Sequence, residues 1–286
     1  MKNNNKNIAL ITEGFGHGFA CALIARVNNI TPVAFSTKEN EEDFNNEVNQ
    51  IHRNLNFVLP EMHKATWEER EELLANGWNI RQSLLNGEIS AEMWRKVAES
   101  RLTPEVAPDS PKFVGMPCDS VMFVPQKLQT DGQCGVSAQQ QSLSPDLFDF
   151  LKECGYELVL GQHFNKVADL EKVQKLAADF NLYVPGMTED EEVFGIRGVQ
   201  HEKYWNLYKR LKGCVGIAGT HTWYLLTTRP EVPQIILFNK KGVERWTEIQ
   251  AAYQAAGYPI FCFGFDDETD LQDLMEEVEE TFNLFL

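Results

Sequence analysis

From Val121 onward, apolar runs of about four to six residues alternate with helical stretches of about 10 to 15. That rhythm leaves a parallel α/β sheet as the economical fold, because each short strand is followed by a segment long enough to cross back over it. The expected strands are Val121–Val124, Glu157–Leu160, Leu182–Val184, Cys214–Ala218, Gln234–Phe238 and Ile260–Phe263. Helices are expected over Pro145–Cys154, Asp169–Phe180, His201–Lys212, Trp223–Thr228, Glu244–Ala256 and Asp270–Phe285. Ser144 and Pro145 supply an N-cap and a proline at the first helical position.

The amino end opens in the same way. Ile8–Thr12 reads as a strand, Phe19–Val27 as an alanine-rich helix and Ile30–Phe35 as a second strand, with a glycine turn between the first two. A strand, turn, helix, strand order puts the Gly14 to Gly18 turn at the carboxyl edge of a parallel sheet. Between Lys38 and Arg101 charged residues dominate, and apolar residues including Trp67, Trp78 and Trp94 recur at mostly helical spacing, which predicts two or three amphipathic helices with tryptophans in their core. Pro104, Pro108, Pro111 and Pro117 then favour an extended connection. The expected division is a short, helix-rich Rossmann-like domain over residues 1–117 and a second Rossmann-like domain over 118–286, facing each other across a cleft.

The 286 residues, 43% of them apolar and 24% charged, are those of a folded globular chain. Forty-two acidic against 26 basic residues give a formal charge of -16, a field that repels phosphate backbones and anionic lipid. Nucleic acid is not an expected partner. No apolar run approaches the roughly 18 residues of a spanning helix, and the start has no signal-peptide core, so the expected location is the cytoplasm. The six cysteines form no C-x-x-C pair and read as reduced, mostly buried thiols without a zinc site.

Four clusters could carry chemistry. In Glu13-Gly14-Phe15-Gly16-His17-Gly18, Gly14, Gly16 and Gly18 would let backbone N–H groups approach an anion at a helix start. The dinucleotide fingerprint needs a further glycine where Phe19 stands, and Ser36-Thr37-Lys38 replaces the acidic residue after the second strand. Within this turn His17 could accept a proton from a hydroxyl, and Glu13 could orient it or act as the base itself. A polar loop after Val124 holds Gln126 and Lys127, whose cation suits a diphosphate. Gln162 and His163 follow the next strand. Gly219-Thr220-His221-Thr222 gathers hydroxyls, an imidazole and free N–H groups at a helix start. The acidic run Glu189-Asp190-Glu191-Glu192 reads as a solvated face, and neither a nucleophile elbow nor a P-loop is present.

These segments give the carboxyl half, from about Val121 to Leu286, a resemblance to the donor half of GT-B glycosyltransferases, above all the heptosyltransferase-type enzymes of bacterial surface-sugar synthesis. It is carried by Val121-Met-Phe-Val-Pro125, Tyr156-Glu-Leu-Val-Leu-Gly161, Gly216-Ile-Ala-Gly-Thr-His-Thr222 and Pro233-Gln-Ile-Ile-Leu-Phe238. The family usually has an acidic Asp-Thr-Gly-like turn where this chain has Gly219-Thr220-His221. The resemblance implies transfer of a sugar from a nucleotide-sugar donor to a hydroxyl acceptor, with no cofactor and no obligatory metal. Lys127 and the Thr220–Thr222 turn would face the donor diphosphate, and His17 or Glu13 would deprotonate the acceptor. The acidic surface favours a soluble acceptor over a membrane-bound one, and a homodimer is compatible with the reading. Two other classes fit the same elements: a nucleotide or nucleotide-sugar binding module without turnover, and another enzyme on this fold, such as a sugar-nucleotide epimerase or an NAD(P) oxidoreductase.

Overall fold

The structure is a computed structural model that describes residues 7–14, 16–56, 59, 61–100, 121–124, 149–154, 157–160, 163–165, 171, 174–175, 178–179, 193–195, 211–218, 220–266 and 268–285. It is an α/β protein with parallel sheets. Contacts divide it into two compact units, and the division is not a single cut along the chain. The first comprises Met1–Glu105, Trp223–Pro230 and Glu244–Gly257, the second Val106–Thr222, Glu231–Val243 and Tyr258–Leu286. Two helical segments from the carboxyl half thus belong with the amino half.

In the first unit, β1 (Ile8–Ile11) pairs in parallel with β2 (Thr31–Ala34), and β2 with β3 (His63–Lys64). On the other edge of β1, Leu10 N–H donates to Trp78 O and Trp78 N–H to Ile8 O, both at 2.9 Å, so a one-residue parallel bridge extends the sheet. Helix α1 (Gly16–Val27) connects β1 to β2. Every residue from Phe19 to Ala25 is at most 1% exposed, which explains a helix apolar on all sides. It stops at Asn28-Asn29, where Asn29 takes the left-handed φ of 59° and Ile30 N–H returns to Ala25 O at 2.9 Å.

The charged stretch after β2 holds four helices rather than two or three: α2 (Glu41–Leu55), α3 (Arg70–Asn76), α4 (Ile80–Leu85) and α5 (Ala91–Glu99). Local signals set their starts. Asn40, Asn79 and Ser90 cap the backbone N–H groups of Asp43, Gln82 and Met93, and α2 has acids in its first turn with His52 and Arg53 in its last, matching the helix dipole. Phe44, Val48, Ile51 and Leu55 of α2, and Trp94, Val97 and Ala98 of α5, are the buried stripes, each large side chain contributing about 1.5–3 kcal/mol.

The second unit is built on β4 (Val121–Val124), β5 (Glu157–Leu160), β8 (Leu211–Ile217), β9 (Gln234–Asn239) and β10 (Ile260–Phe265), all parallel, in the order β10-β9-β8-β4-β5. A small antiparallel pair, β6 (His163–Asn165) with β7 (Val193–Gly195), lies between β5 and β8 in the chain. Strand β8 starts at Leu211, inside the stretch expected to be helical through Lys212: Leu211 pairs with Val121 and Gly213 with Met122, so a bulge at Lys212 extends the strand backward. Residues 235 to 238 of β9 are all at most 5% exposed, as a central parallel strand requires, whereas edge strand β10 is half-buried along its middle.

Residues 149–153 are helical, within the helix expected over Pro145–Cys154, and three further helices follow β8. They are α6 (Thr220–Thr228), α7 (Val243–Ala255) and α8 (Leu271–Phe285). Leu274, Met275, Val278 and Phe282 form the buried stripe of α8. The expected strand at Leu182–Val184, the acidic run 189–192 and the proline-rich segment lie outside the described residues.

Candidate functional site

Strand β1 sits between β2 and the Trp78 bridge. From β1 the chain moves outward through β2 and β3, then returns past β1 to pair on its opposite side. A reversal of this kind, at the carboxyl ends of parallel strands, is where open α/β sheets hold ligands. Glu13 and the glycine turn follow β1 directly, and Arg81 follows Trp78 in the first turn of α4.

These residues meet. Arg81 Nε donates to Glu13 Oε2 at 2.8 Å, and His17 Nδ1 lies 3.8 Å from the same oxygen. The second distance is a charge contact, too long for a hydrogen bond. The Glu13, His17 and Arg81 side chains are 27%, 33% and 42% exposed, open enough to meet a ligand. Burial pushes the Glu13 carboxyl up, but His17 and Arg81 outweigh it and hold it below the ordinary carboxylate range. Glu13 is therefore an ionised carboxylate at neutral pH and a weak base. It is not the solvated turn carboxylate that its position alone suggests.

His17 is not in a loop. Helix α1 starts at Gly16 and places His17 in its first turn, three residues before the start read from the sequence. The cause is Gly18: a Cβ there would lie 1.6 Å from the carbonyl oxygen of Glu13, so only glycine lets the helix close directly onto the strand end. Gly14 answers a second close approach, since a Cβ would come within 3.0 Å of Asn54 Nδ2 and 3.1 Å of the Ile51 backbone. Packing accounts for both glycines; Gly16 is buried at the helix start. Asn54 was not visible as a site neighbour in the sequence. It is 3% exposed, and neither atom of its amide has a hydrogen-bond partner among the described residues, a state that costs on the order of 1–3 kcal/mol.

The His17 ring packs on Trp223, with centroids 5.4 Å apart at 48°. Trp223 is the middle of a buried row: Trp94 stacks at 6.0 Å and Trp246 at 5.2 Å, and none of the three is more than 2% exposed. All three are core, which for Trp94 is what its helical spacing suggests. Arg245 covers the row, its guanidinium carbon 5.7 Å from the Trp223 ring centre and 5.4 Å from that of Trp246. Neither Arg81 nor Arg245 stands out in the sequence, because each acquires its neighbours only through long-range packing.

In the second unit the strand order reverses between β4 and β8, so the carboxyl ends at Val124 and Ile217 are neighbours. Thr220, His221 and Thr222 form the first turn of α6 just beyond Ile217, and Thr222 is 1% exposed. That burial is at odds with a ligand contact by the Thr222 side chain and leaves its backbone as what Thr222 can offer. His163 lies in β6. Gln126, Lys127, Gln162 and Gly219 lie outside the described residues.

Cys21 and Cys214 are buried and Cys262 is half-buried, each thiol pushed upward by burial, whereas Cys154 is exposed; none of these four is in a disulfide. Cys118 and Cys134 lie outside the described residues. Among the described residues no helix is long and apolar enough to cross a membrane, and no group of three or more His, Cys, Asp or Glu is placed to hold a metal ion. A depression of about 340 Å³, lined by Arg26, Asn29, Thr31, Glu61 and His63 among others, opens at the amino edge of the first sheet. It contains none of the glycine-turn residues and lies at the end of the strands opposite to that used by ligands of parallel sheets. No family model, curated protein or solved structure matches the chain.

Proposed function

We propose that the chain is a glycosyltransferase-type enzyme of GT-B-like organisation that transfers a sugar from a nucleotide-sugar donor to a hydroxyl acceptor. The observation that carries this reading is the arrangement at the end of β1, where an ionised Glu13, fixed by Arg81, faces the Nδ1 edge of His17. Held this way, Glu13 is the orienting group and His17 the base, with Nε2 taking the proton. The acceptor oxygen attacks the anomeric carbon, its proton passes to His17, and the bond to the diphosphate breaks with the electron pair leaving on the diphosphate oxygen. In the second unit, the sheet reversal beside the start of α6 supports a diphosphate subsite, because N–H groups at a helix start stabilise developing negative charge. The resemblance of the carboxyl half supplies the sugar nucleotide as the donor class, with no cofactor and no obligatory metal.

Thermal unfolding against nucleoside diphosphates, nucleotide sugars and NAD(P) tests it. A ligand at 100 times its dissociation constant adds roughly 2.7 kcal/mol. Stabilisation by one nucleotide sugar and its diphosphate, with release of that diphosphate when acceptor is added, is the expected result. A protein indifferent to the whole panel ends the proposal.

The binding-module reading has one observation in its favour: Gly14 and Gly18 are accounted for by packing alone. Tight nucleotide-sugar binding without release of diphosphate would select it.

A further inference from the structure

Arg245 stands in the first turn of α7, near the turn after α4, where Gly87 takes a left-handed φ of 71° and an added Cβ would lie 3.7 Å from the Arg245 nitrogen. Its guanidinium lies over Trp223 and Trp246. Its Nε is buried without a hydrogen-bond partner, and among the described residues no carboxylate pairs with it. Glu248, one helical turn further on, also keeps a buried, unpartnered carboxylate oxygen instead of closing the pair. Arg26 and Arg53, by contrast, are exposed to solvent. Burial lowers the Arg245 pKa, the direction expected of a cation removed from water.

A chain of net charge -16 has acidic residues in excess with which to neutralise a structural arginine. This one is half-buried, pairs with no carboxylate among the described residues, and shares the Trp223 ring with His17, whose ring centre lies 5.4 Å from that of the indole. A planar guanidinium fork fits the oxygens of a phosphate or carboxylate. We propose that Arg245 is a binding residue for an anionic oxygen group on the molecule that His17 deprotonates, so that the acceptor is a hydroxyl compound bearing a phosphate or a carboxylate. The inference rests on the transferase reading for the word acceptor, while the anion site itself stands on Arg245 and its surroundings.

The test titrates the full-length protein, at low ionic strength and without nucleotide, with inorganic phosphate and with acetate. It reads tryptophan fluorescence, which the stacked row beneath Arg245 makes sensitive to the site, together with thermal stability. Wild type should respond to at least one anion, and Arg245→Gln should bind it about tenfold or more weakly. A stronger response to phosphate identifies a phosphorylated acceptor, a stronger response to acetate a sugar acid. No response from wild type, or equal binding by wild type and Arg245→Gln, overturns the proposal. Should Arg245→Gln fail to fold, Arg245→Lys is read in its place, since it keeps a charge over the indoles and loses the planar fork: severalfold weaker binding supports the proposal and unchanged binding overturns it. Anion binding that persists in a protein blind to every nucleotide removes the transferase reading alone. Nucleotide stabilisation with no anion response removes Arg245 alone.

Discussion

Arg81 Nε and Glu13 Oε2 are 2.8 Å apart, a hydrogen-bonded ion pair between residues 68 positions apart in the chain that ties the loop after β1 to the helix after the Trp78 bridge. With Arg81 42% exposed, solvent screening limits the pair to about 0.5–1 kcal/mol. Arg81→Ala should lower the unfolding free energy by that amount at neutral pH. Because the folded-state pKa of Glu13 is depressed below that of an ordinary unfolded-chain carboxylate, the contribution is complete above the unfolded pKa and is lost as pH falls through the folded pKa. Urea denaturation of both proteins across this range should give a gap that closes in acid; a gap independent of pH would remove Glu13 as the partner that matters.

Gly18→Ala puts a methyl group 1.6 Å from the Glu13 carbonyl oxygen, and the backbone has to move to accept it. Overpacking of this kind costs about 1–3 kcal/mol, and here the upper end is expected because the obstacle is main chain. Gly14→Ala should be milder, since the Asn54 side chain can give way at 3.0 Å. Equal unfolding midpoints for wild type and Gly18→Ala would show that α1 does not start at Gly16.

Trp223 and Trp246 come from the carboxyl half, yet Trp223, with Trp246 stacked on it, packs on Trp94 of the amino half. Truncation of either to Ala should cost about 3–5 kcal/mol and abolish the near-ultraviolet circular dichroism of the stacked row. For the same reason a fragment ending at residue 117 leaves Trp94 without its partners and should not unfold cooperatively. A sharp, two-state transition from that fragment would contradict the division of the chain in which residues 223–230 and 244–257 belong to the first unit.

The strands that were legible in the sequence are those with a local apolar run. Val121–Val124 and Glu157–Leu160 fall where the runs put them, and Gln234–Asn239 extends its run by one residue. Strand β3 was not legible, because His63-Lys64 is two exposed polar residues that pair only through β2. The helical position of His17 was hidden by its glycines, which locally weaken a helix and are needed here for a contact with Glu13 that no window of sequence contains. Arg81, Arg245 and the tryptophan row share that character, since their partners lie far along the chain. Glu13 and His17 were legible as candidates because a polar residue beside a glycine turn at a strand end is conspicuous, but the division of labour proposed for them rests on Arg81, which is not.

That division makes its own prediction. If His17 takes the acceptor proton while Glu13 orients it, His17→Ala should lower kcat by about 10²–10⁴-fold, the range for loss of a general base, and leave the affinity for the donor unchanged. Glu13→Gln keeps the shape and removes the charge, so it should slow turnover less than His17→Ala does, again without weakening donor binding. Steady-state kinetics paired with calorimetric titration of the donor separates the two effects. A Glu13→Gln enzyme slower than His17→Ala would reverse the roles and make the carboxylate the base in spite of Arg81, and unchanged turnover in both would move the chemistry away from the end of β1.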